Sequence, residues 1–247
     1  IAQWLRNNGV CQAKVFPGES VFYNKEIECQ NRLLLEDSNI IYLETHPLIM
    51  DATPNYFIEA SKVYKIYTDE KAGDATAKLK PIAILREPIS RELSWYNHKL
   101  DAYKKDSWLM DVVHTNGTIK TYDEYSVELS SRIRANPNSA YNTLSFYVNH
   151  LKRWVELFER QQILILSYNE FVIDPSKTAW RLEDFLGSTM HGGFEKVNGR
   201  SGSKHIPTRA REVVGELFRE KNQELYEFMA NNPGPPMEEN PFPWFND

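Results

Sequence analysis

The stretch that decides the fold is 81-PIAILREPISRELSWYNH-98. Ile82 to Leu85 run without a polar interruption and stop on Arg86. A short continuous apolar run of this kind suits a strand buried on both faces of a parallel sheet. Pro88 has the fixed φ and the missing N–H that fit a first helical position. Ile89, Leu93, Tyr96 and Leu100 then recur at i, i+4, i+7 and i+11, a stripe that faces a core. The stretch therefore reads as strand, turn and helix, with Arg86 at the carboxyl end of the strand. In open α/β sheets that edge is where ligands bind. Ser94 lies off the apolar stripe, almost two turns into the helix, where it can share a pocket wall with Arg86. A guanidinium fork with a hydroxyl beside it is a phosphate-binding pair. The competing reading is that Arg86 pairs with Glu87 or Asp51 and that Ser94 is merely exposed.

Outward from this stretch the same alternation continues. AKVF at 13–16 is a short strand candidate ending at Pro17-Gly18, and LIM at 48–50 and QQILILS at 161–167 are further apolar runs. Helical spacing appears over 1–8, through Ile1, Trp4 and Leu5, with Gly9 as a stop. It appears again over 139–160, where Tyr147, Leu151, Trp154 and Phe158 share a face. A further helix opens at Asp174-Pro175, carries Leu182, Phe185 and Leu186, and closes at Gly187. A last helix over 208–231 carries Val213, Val214, Leu217, Leu225 and Phe228. Strands alternating with helices predict a three-layer α/β fold, a central parallel sheet flanked by helices, as a single domain over 1–247. Residues 232–247 read as an irregular tail pinned by Phe242, Trp244 and Phe245.

Composition narrows the class. The chain has 247 residues, 41% of them hydrophobic and 26% charged, with a net charge of -5. That is enough apolar content for a full core, and the mixed, slightly acidic charge argues against a nucleic-acid binder or a polybasic membrane protein. No window approaches 18 consecutive apolar residues, so no membrane-spanning helix is expected. No secretory leader is visible, and the chain opens at Ile1 inside what reads as a helix, so an upstream segment is expected. Cys11 and Cys29 could form one disulfide or none, and their spacing fits no zinc pattern. No metal site is expected.

At this point the motifs resemble a family. R-E-P-x-x-R-x-x-S-W-Y-x-H over 86–98 is similar to the 3'-phosphate-binding segment of sulfotransferases that use 3'-phosphoadenosine 5'-phosphosulfate (PAPS), closest to the heparan-sulfate type with its N-sulfotransferase branch. GESVFYN at 18–24 and MDATPNYF at 50–57 resemble two further segments of that family. So do HLKRWVELFERQQILIL at 150–166, FLG at 185–187 and GRSGSKHIP at 199–207. Six segments in register, covering about 15–207, are a fairly specific pattern. The resemblance implies a P-loop NTPase-like sulfotransferase fold. It implies that Arg86 and Ser94 bind the nucleotide 3'-phosphate and that Arg200, Ser201 and Lys204 close a loop over its phosphates. It also implies that Glu19 is the catalytic base and that His98, one turn beyond Ser94, assists the acceptor as a catalytic or substrate-binding group. Asp51, just past the apolar run 48–50, could line the acceptor side or pair with Arg86.

The departures from the family carry their own expectations. A strand and a K-x-G-T-[ST] phosphate loop precede the first helix in that family, so such a loop is expected upstream of Ile1. Ala52 stands where lysine is usual, and the stretch after Gly187 lacks the family's cysteine pair. Net charge -5 favours an acceptor with few acidic groups, a glycan or a small metabolite, over a strongly anionic polymer. The expected reaction is sulfuryl transfer from PAPS to a hydroxyl or amine, leaving 3'-phosphoadenosine 5'-phosphate. The rival readings are a P-loop nucleotide kinase and a non-catalytic nucleotide- or glycan-binding domain of the same fold. The glycan branch places the reaction in the secretory pathway, in the Golgi lumen, and a cytoplasmic site is the alternative. Nothing in the sequence fixes the oligomeric state.

Overall fold

The structure is a computed structural model that describes residues 5, 11–14, 26–29, 32–34, 49–50, 54–68, 79–103, 110–139, 143–189 and 205–235. The predicted tail contacts at Phe242, Trp244 and Phe245 lie outside these residues. The chain divides into two compact units, 1–81 with 173–199, and 82–172 with 200–247.

In the first unit, strands β1 (Cys11–Lys14), β2 (Glu26–Cys29), β3 (Arg32–Leu34) and β4 (Ile49–Met50) form a sheet in the order β3-β2-β1-β4. β1 and β4 pair in parallel, Cys11 opposite Ile49, as strands of an α/β fold do. The β2–β3 hairpin that extends this sheet antiparallel was not expected. The AKVF candidate also shifts, because the strand runs over Cys11–Lys14. A 3-10 turn at Pro54–Ile58 leads into helix α1 (Ala60–Thr68), which buries Ala60 and Val63.

The helix expected at Asp174-Pro175 belongs to the same unit and will be called α6 (Pro175–Leu186). Its ends are made as the sequence dictates. The Asp174 side chain accepts a hydrogen bond from the Lys177 N–H at 3.0 Å, Pro175 occupies the first turn, and Gly187 closes the helix at φ +67°. That left-handed conformation is nearly free of cost for glycine and strained for other residues. Lys80 donates to the Phe185 carbonyl at 2.6 Å and stands 5.4 Å from the centre of its ring, which ties the helix end to the irregular stretch 79–81.

The second unit holds the stretch that opened the sequence. Strand β5 (Ile82–Leu85) pairs in parallel with β6 (Leu164–Ser167), from Ile82 opposite Leu164 to Leu85 opposite Ser167. β6 is buried along its whole length, but Ile84 in β5 is 45% exposed. The expectation of burial on both faces therefore holds for β6 and fails for β5. Among the described residues β5 has a strand neighbour on one side only.

Around this pair stand helices α2 (Pro88–Tyr103), α3 (Tyr122–Ala135), α4 (Tyr147–Val155), the short α5 (Tyr168–Ile173) and α7 (Thr208–Asn231). The stripe of α2 packs as predicted. Ile89, Leu93 and Tyr96 join Val112, Val113, Tyr122, Tyr125, Leu129, Ile133, Phe146, Ala210, Val214 and Phe218 in one buried cluster. Tyr96 lies 5.4 Å, ring centre to ring centre, from both Tyr122 and Tyr125, an arrangement that favours tilted rings over a flat stack. Helix α3 begins with a capping box in which Thr121 and Glu124 exchange side-chain and backbone hydrogen bonds. The first turn of α7 has no cap of its own. It takes one from α3, whose Asp123 accepts from the Ala210 N–H at 2.8 Å.

Helix α4 is shorter than its 139–160 pattern, ending at Val155, yet Phe158 still reaches the same face and stacks on Trp154 at 5.2 Å. Within α4, His150 is 2% exposed and its Nε2 lies 3.0 Å from the Thr143 carbonyl. A carbonyl only accepts, so Nε2 carries the hydrogen. Burial, together with the positive charges of Arg153 and Arg91, holds its pKa below the ordinary 6.5 against the opposing pull of the Thr143 bond. The folded state then binds the proton less readily than the unfolded chain. The His150 contribution is complete above about pH 6.5 and is lost as pH falls below it. Urea unfolding at about pH 7.5 and about pH 5.5 should show a drop in stability for the native chain that is smaller in His150→Gln. An equal drop in both would remove His150 as the cause.

Candidate anion site at the carboxyl edge of β5 and β6

The local sequence builds this edge twice. Glu87 follows Arg86 and is 8% exposed, and its two carboxylate oxygens accept from the N–H groups of Ile89 at 2.8 Å and Ser90 at 2.6 Å. With Pro88 next to it, Glu87 is the N-cap of α2, a longer side chain in the role that aspartate or serine usually fills. Its negative charge also meets the positive end of the helix dipole. At the end of β6 the buried Ser167 hydroxyl accepts from the Asn169 N–H at 3.2 Å and the Glu170 N–H at 3.4 Å. Both strands therefore hand over to their helices through a side-chain cap.

Of the two carboxylates named as partners for Arg86, Glu87 is engaged elsewhere and Asp51 lies outside the described residues. Glu87 spends its oxygens on the backbone of α2, and among the described residues Arg86 has no ion pair. The Arg86 carbonyl is fixed by the Tyr147 hydroxyl at 2.7 Å. Its guanidinium carbon lies 4.8 Å from the centre of the Tyr168 ring. Strand register explains that contact: Leu85 pairs with Ser167, so the next residues along, Arg86 and Tyr168, are neighbours. The guanidinium lies over the ring, and its N–H groups make no hydrogen bond among the described residues. Because Glu87 already occupies the first N–H groups of α2, an anion here must be held by side chains more than by the helix end.

Ser94 sits on α2 about 9 Å along the axis from Pro88. It is half-buried, and its hydroxyl makes no hydrogen bond among the described residues. His98 follows one turn later on the same face and packs on Trp95, ring centres 5.0 Å apart. Trp95 also lies 5.6 Å from the Arg91 guanidinium and 5.4 Å from the Lys99 ammonium. Arg91 in turn donates to the buried Glu92 carboxylate at 2.6 Å, and the Ser145 hydroxyl donates to the same oxygen at 2.6 Å. The polar groups of α2 are thus divided: Arg91 and Glu92 brace the helix from within, and Ser94 and His98 lie one turn apart, both partly buried. Sequence reasoning missed Tyr168 and gave Trp95 no role. Tyr168 directly follows the apolar run ending at Ser167, but only the register of β6 against β5 brings it beside Arg86.

Glu19, Asp51, Arg200, Ser201 and Lys204 lie outside the described residues. Among the described residues no group of three or more His, Cys, Asp or Glu side chains is placed to hold a metal ion. No described helix is long and apolar enough to cross a membrane.

The Glu87 cap gives a direct test of this edge. Glu87→Ala should destabilise the chain by about 1 kcal/mol, the usual worth of a helix cap. Urea denaturation reads it, and a change near zero would mean that the two backbone bonds contribute little.

Comparison with known proteins identifies the family. The family model for the sulfotransferase domain matches residues 74–214, a span that contains Arg86, Ser94, His98 and Tyr168. The chain belongs to the sulfotransferase family. The bifunctional heparan sulfate N-deacetylase/N-sulfotransferase 1 of Mus musculus is 25% identical over 215 residues, covering 74% of this chain and 23% of that protein. The bifunctional heparan sulfate N-deacetylase/N-sulfotransferase 2 of Homo sapiens is 24% identical over 247 residues, covering 87% of this chain and 26% of that protein. This sulfotransferase-family chain therefore spans about a quarter of the length of those relatives. A crystal structure of a sulfotransferase from Alicyclobacillus acidocaldarius superposes with a TM-score of 0.53 at 16% identity, covering 78% of this chain and 71% of that one. At that identity the likeness shows the sulfotransferase fold that the motif resemblance implied, an α/β fold as the strand–helix alternation predicted.

Proposed function

We propose that this sulfotransferase-family chain moves a sulfuryl group from PAPS to a hydroxyl or amine of an acceptor. One observation carries the reading. Arg86 stands at the carboxyl edge of a parallel strand pair, stacked on Tyr168 and without an ion pair among the described residues, while the nearest carboxylate in sequence is committed to a helix cap. That leaves a guanidinium fork suited to a dianionic phosphate, with the Ser94 hydroxyl on the following helix as its partner.

The donor nucleotide supplies an activated sulfuryl group. Arg86 and Ser94 hold its 3'-phosphate, and Arg200, Ser201 and Lys204 add positive charge and hydrogen bonds over its phosphates. Glu19 takes the proton that the acceptor hydroxyl or amine sheds as it bonds to sulfur, and His98 orients that acceptor. The electron pair of the broken sulfur–oxygen bond leaves on the 5'-phosphate, giving 3'-phosphoadenosine 5'-phosphate. The relatives' names point to a glycan amine as acceptor, and the net charge of -5 favours a glycan with few acidic groups. The same analogy places the reaction in the lumen of the secretory pathway.

The test is a thermal-shift titration with 3'-phosphoadenosine 5'-phosphate beside ATP-Mg. Stabilisation by the bisphosphate alone should approach about 2.7 kcal/mol at a hundredfold excess over Kd. A shift with ATP-Mg and none with the bisphosphate would turn the assignment toward a kinase. Formation of a labelled sulfated acceptor from labelled PAPS then separates an enzyme from a binding domain.

A further inference from the structure

The 247 residues contain one Asn-x-Ser/Thr tripeptide with a non-proline centre, Asn116-Gly117-Thr118. It forms the tip of a small hairpin whose base is the antiparallel bridge between Val113 and Ile119. Backbone bonds close the hairpin: His114 N–H donates to the Thr118 carbonyl at 2.8 Å and Gly117 N–H to the His114 carbonyl at 2.9 Å. Every residue from 115 to 119 is exposed. Gly117 takes φ +83°, and a Cβ placed there would meet nothing within 4 Å, so the tip projects into open space.

The side chains do more than the turn needs. Asn116 Oδ1 accepts from the Thr118 N–H at 3.0 Å and also from the Thr118 hydroxyl at 2.7 Å. The first bond is the ordinary Asx turn that asparagine makes in loops. The second is not needed to close the hairpin. Together they fix the carboxamide through its oxygen, while Nδ2 has no hydrogen-bond partner among the described residues. An exposed turn with this tripeptide, its hydroxyl held on the asparagine oxygen and its amide nitrogen open, is an acceptor for glycan attachment.

We propose that Asn116 is an N-glycosylation site and that the native chain enters the lumen of the secretory pathway to receive the glycan. The donor class is a lipid-linked oligosaccharide diphosphate. Asn116 Nδ2 forms the bond to the first sugar carbon and gives up one proton. The bond from that carbon to the diphosphate breaks, and the lipid diphosphate leaves with the electron pair. No group of the anion site takes part, so this inference and the sulfuryl-transfer reading stand or fall separately.

The experiment expresses the protein from its own complete coding sequence in eukaryotic cells, followed by release of glycans with a glycan amidase in heavy-oxygen water. The expected result is a gel-mobility shift on release and a heavy-oxygen aspartate at position 116. Spontaneous deamidation of the Asn-Gly pair also takes its oxygen from water, so a parallel incubation in heavy-oxygen water without the amidase sets the background that enzymatic release must exceed. Asn116→Gln and Thr118→Ala should each abolish the shift, and Thr118→Ser should keep it. An unmodified Asn116 in the native chain would overturn the proposal, as would a shift that persists in Asn116→Gln.

Discussion

Arg86→Ala is expected to weaken binding of 3'-phosphoadenosine 5'-phosphate by roughly 10- to 100-fold while leaving the fold intact. A charge-assisted hydrogen bond to an ionised partner contributes about 1.5–3 kcal/mol, which is this factor in affinity. Arg86 makes no ion pair among the described residues, so its loss strands no described carboxylate. Isothermal titration of the native chain and the variant measures the ratio, and urea unfolding of both checks that stability is unchanged. Lysine should restore only part of the affinity, because a point charge cannot make the bidentate contact. Tyr168 supplies the control. Tyr168→Ala should cost about 2- to 5-fold through the lost cation–π contact, and Tyr168→Phe, which keeps the ring, should cost little. Equal affinity in Arg86→Ala and the native chain would place the 3'-phosphate elsewhere.

The largest effect on stability is expected at Phe218. Its side chain is 1% exposed and meets Phe146 edge to face, ring centres 5.9 Å apart. It lies in the cluster that joins α2, the helix of the candidate site, to α3 and α7. Phe218→Ala removes buried apolar area and leaves a cavity that rigid helices cannot close, at a cost of about 3–5 kcal/mol. The melting temperature should fall by on the order of 10 °C. Phe218→Leu keeps most of the volume and should cost clearly less. A fall of a degree or two in the alanine variant would mean that the cluster can repack around the gap.

These two residues differ in how visible they were beforehand. β5, α2 and α6 were legible because their signals are local. An unbroken apolar run, a proline at the first helical position, an aspartate cap and a closing glycine each act within a few residues. α7 was legible over its whole length for the same reason, through its apolar spacing. The β2–β3 hairpin was not: EIEC and RLL are short, with charges interleaved, and their pairing depends on a sheet that no local window reveals. The end of α4 at Val155 was misjudged because Phe158 keeps the face of the helix without belonging to it. The capping box at Thr121 and Glu124 was a local signal left unread. Of the site, Arg86 and Ser94 could be paired by spacing along one segment. Tyr168 could not, since only the register between strands far apart in the chain brings it beside Arg86.

That register has a kinetic consequence. Leu164 follows its partner Ile82 by 82 positions, with α2, α3 and α4 lying between them in the chain. Closing so long a loop carries an entropic cost before any strand contact rewards it, so the pairing forms late and slowly. A nascent chain displays Arg86 long before Tyr168 has been synthesised, and the guanidinium then has no ring to orient it. The nucleotide would therefore bind only the finished arrangement. Added during refolding, it should leave the early collapse untouched and slow the reverse reaction, acting as a clasp on a completed sheet edge.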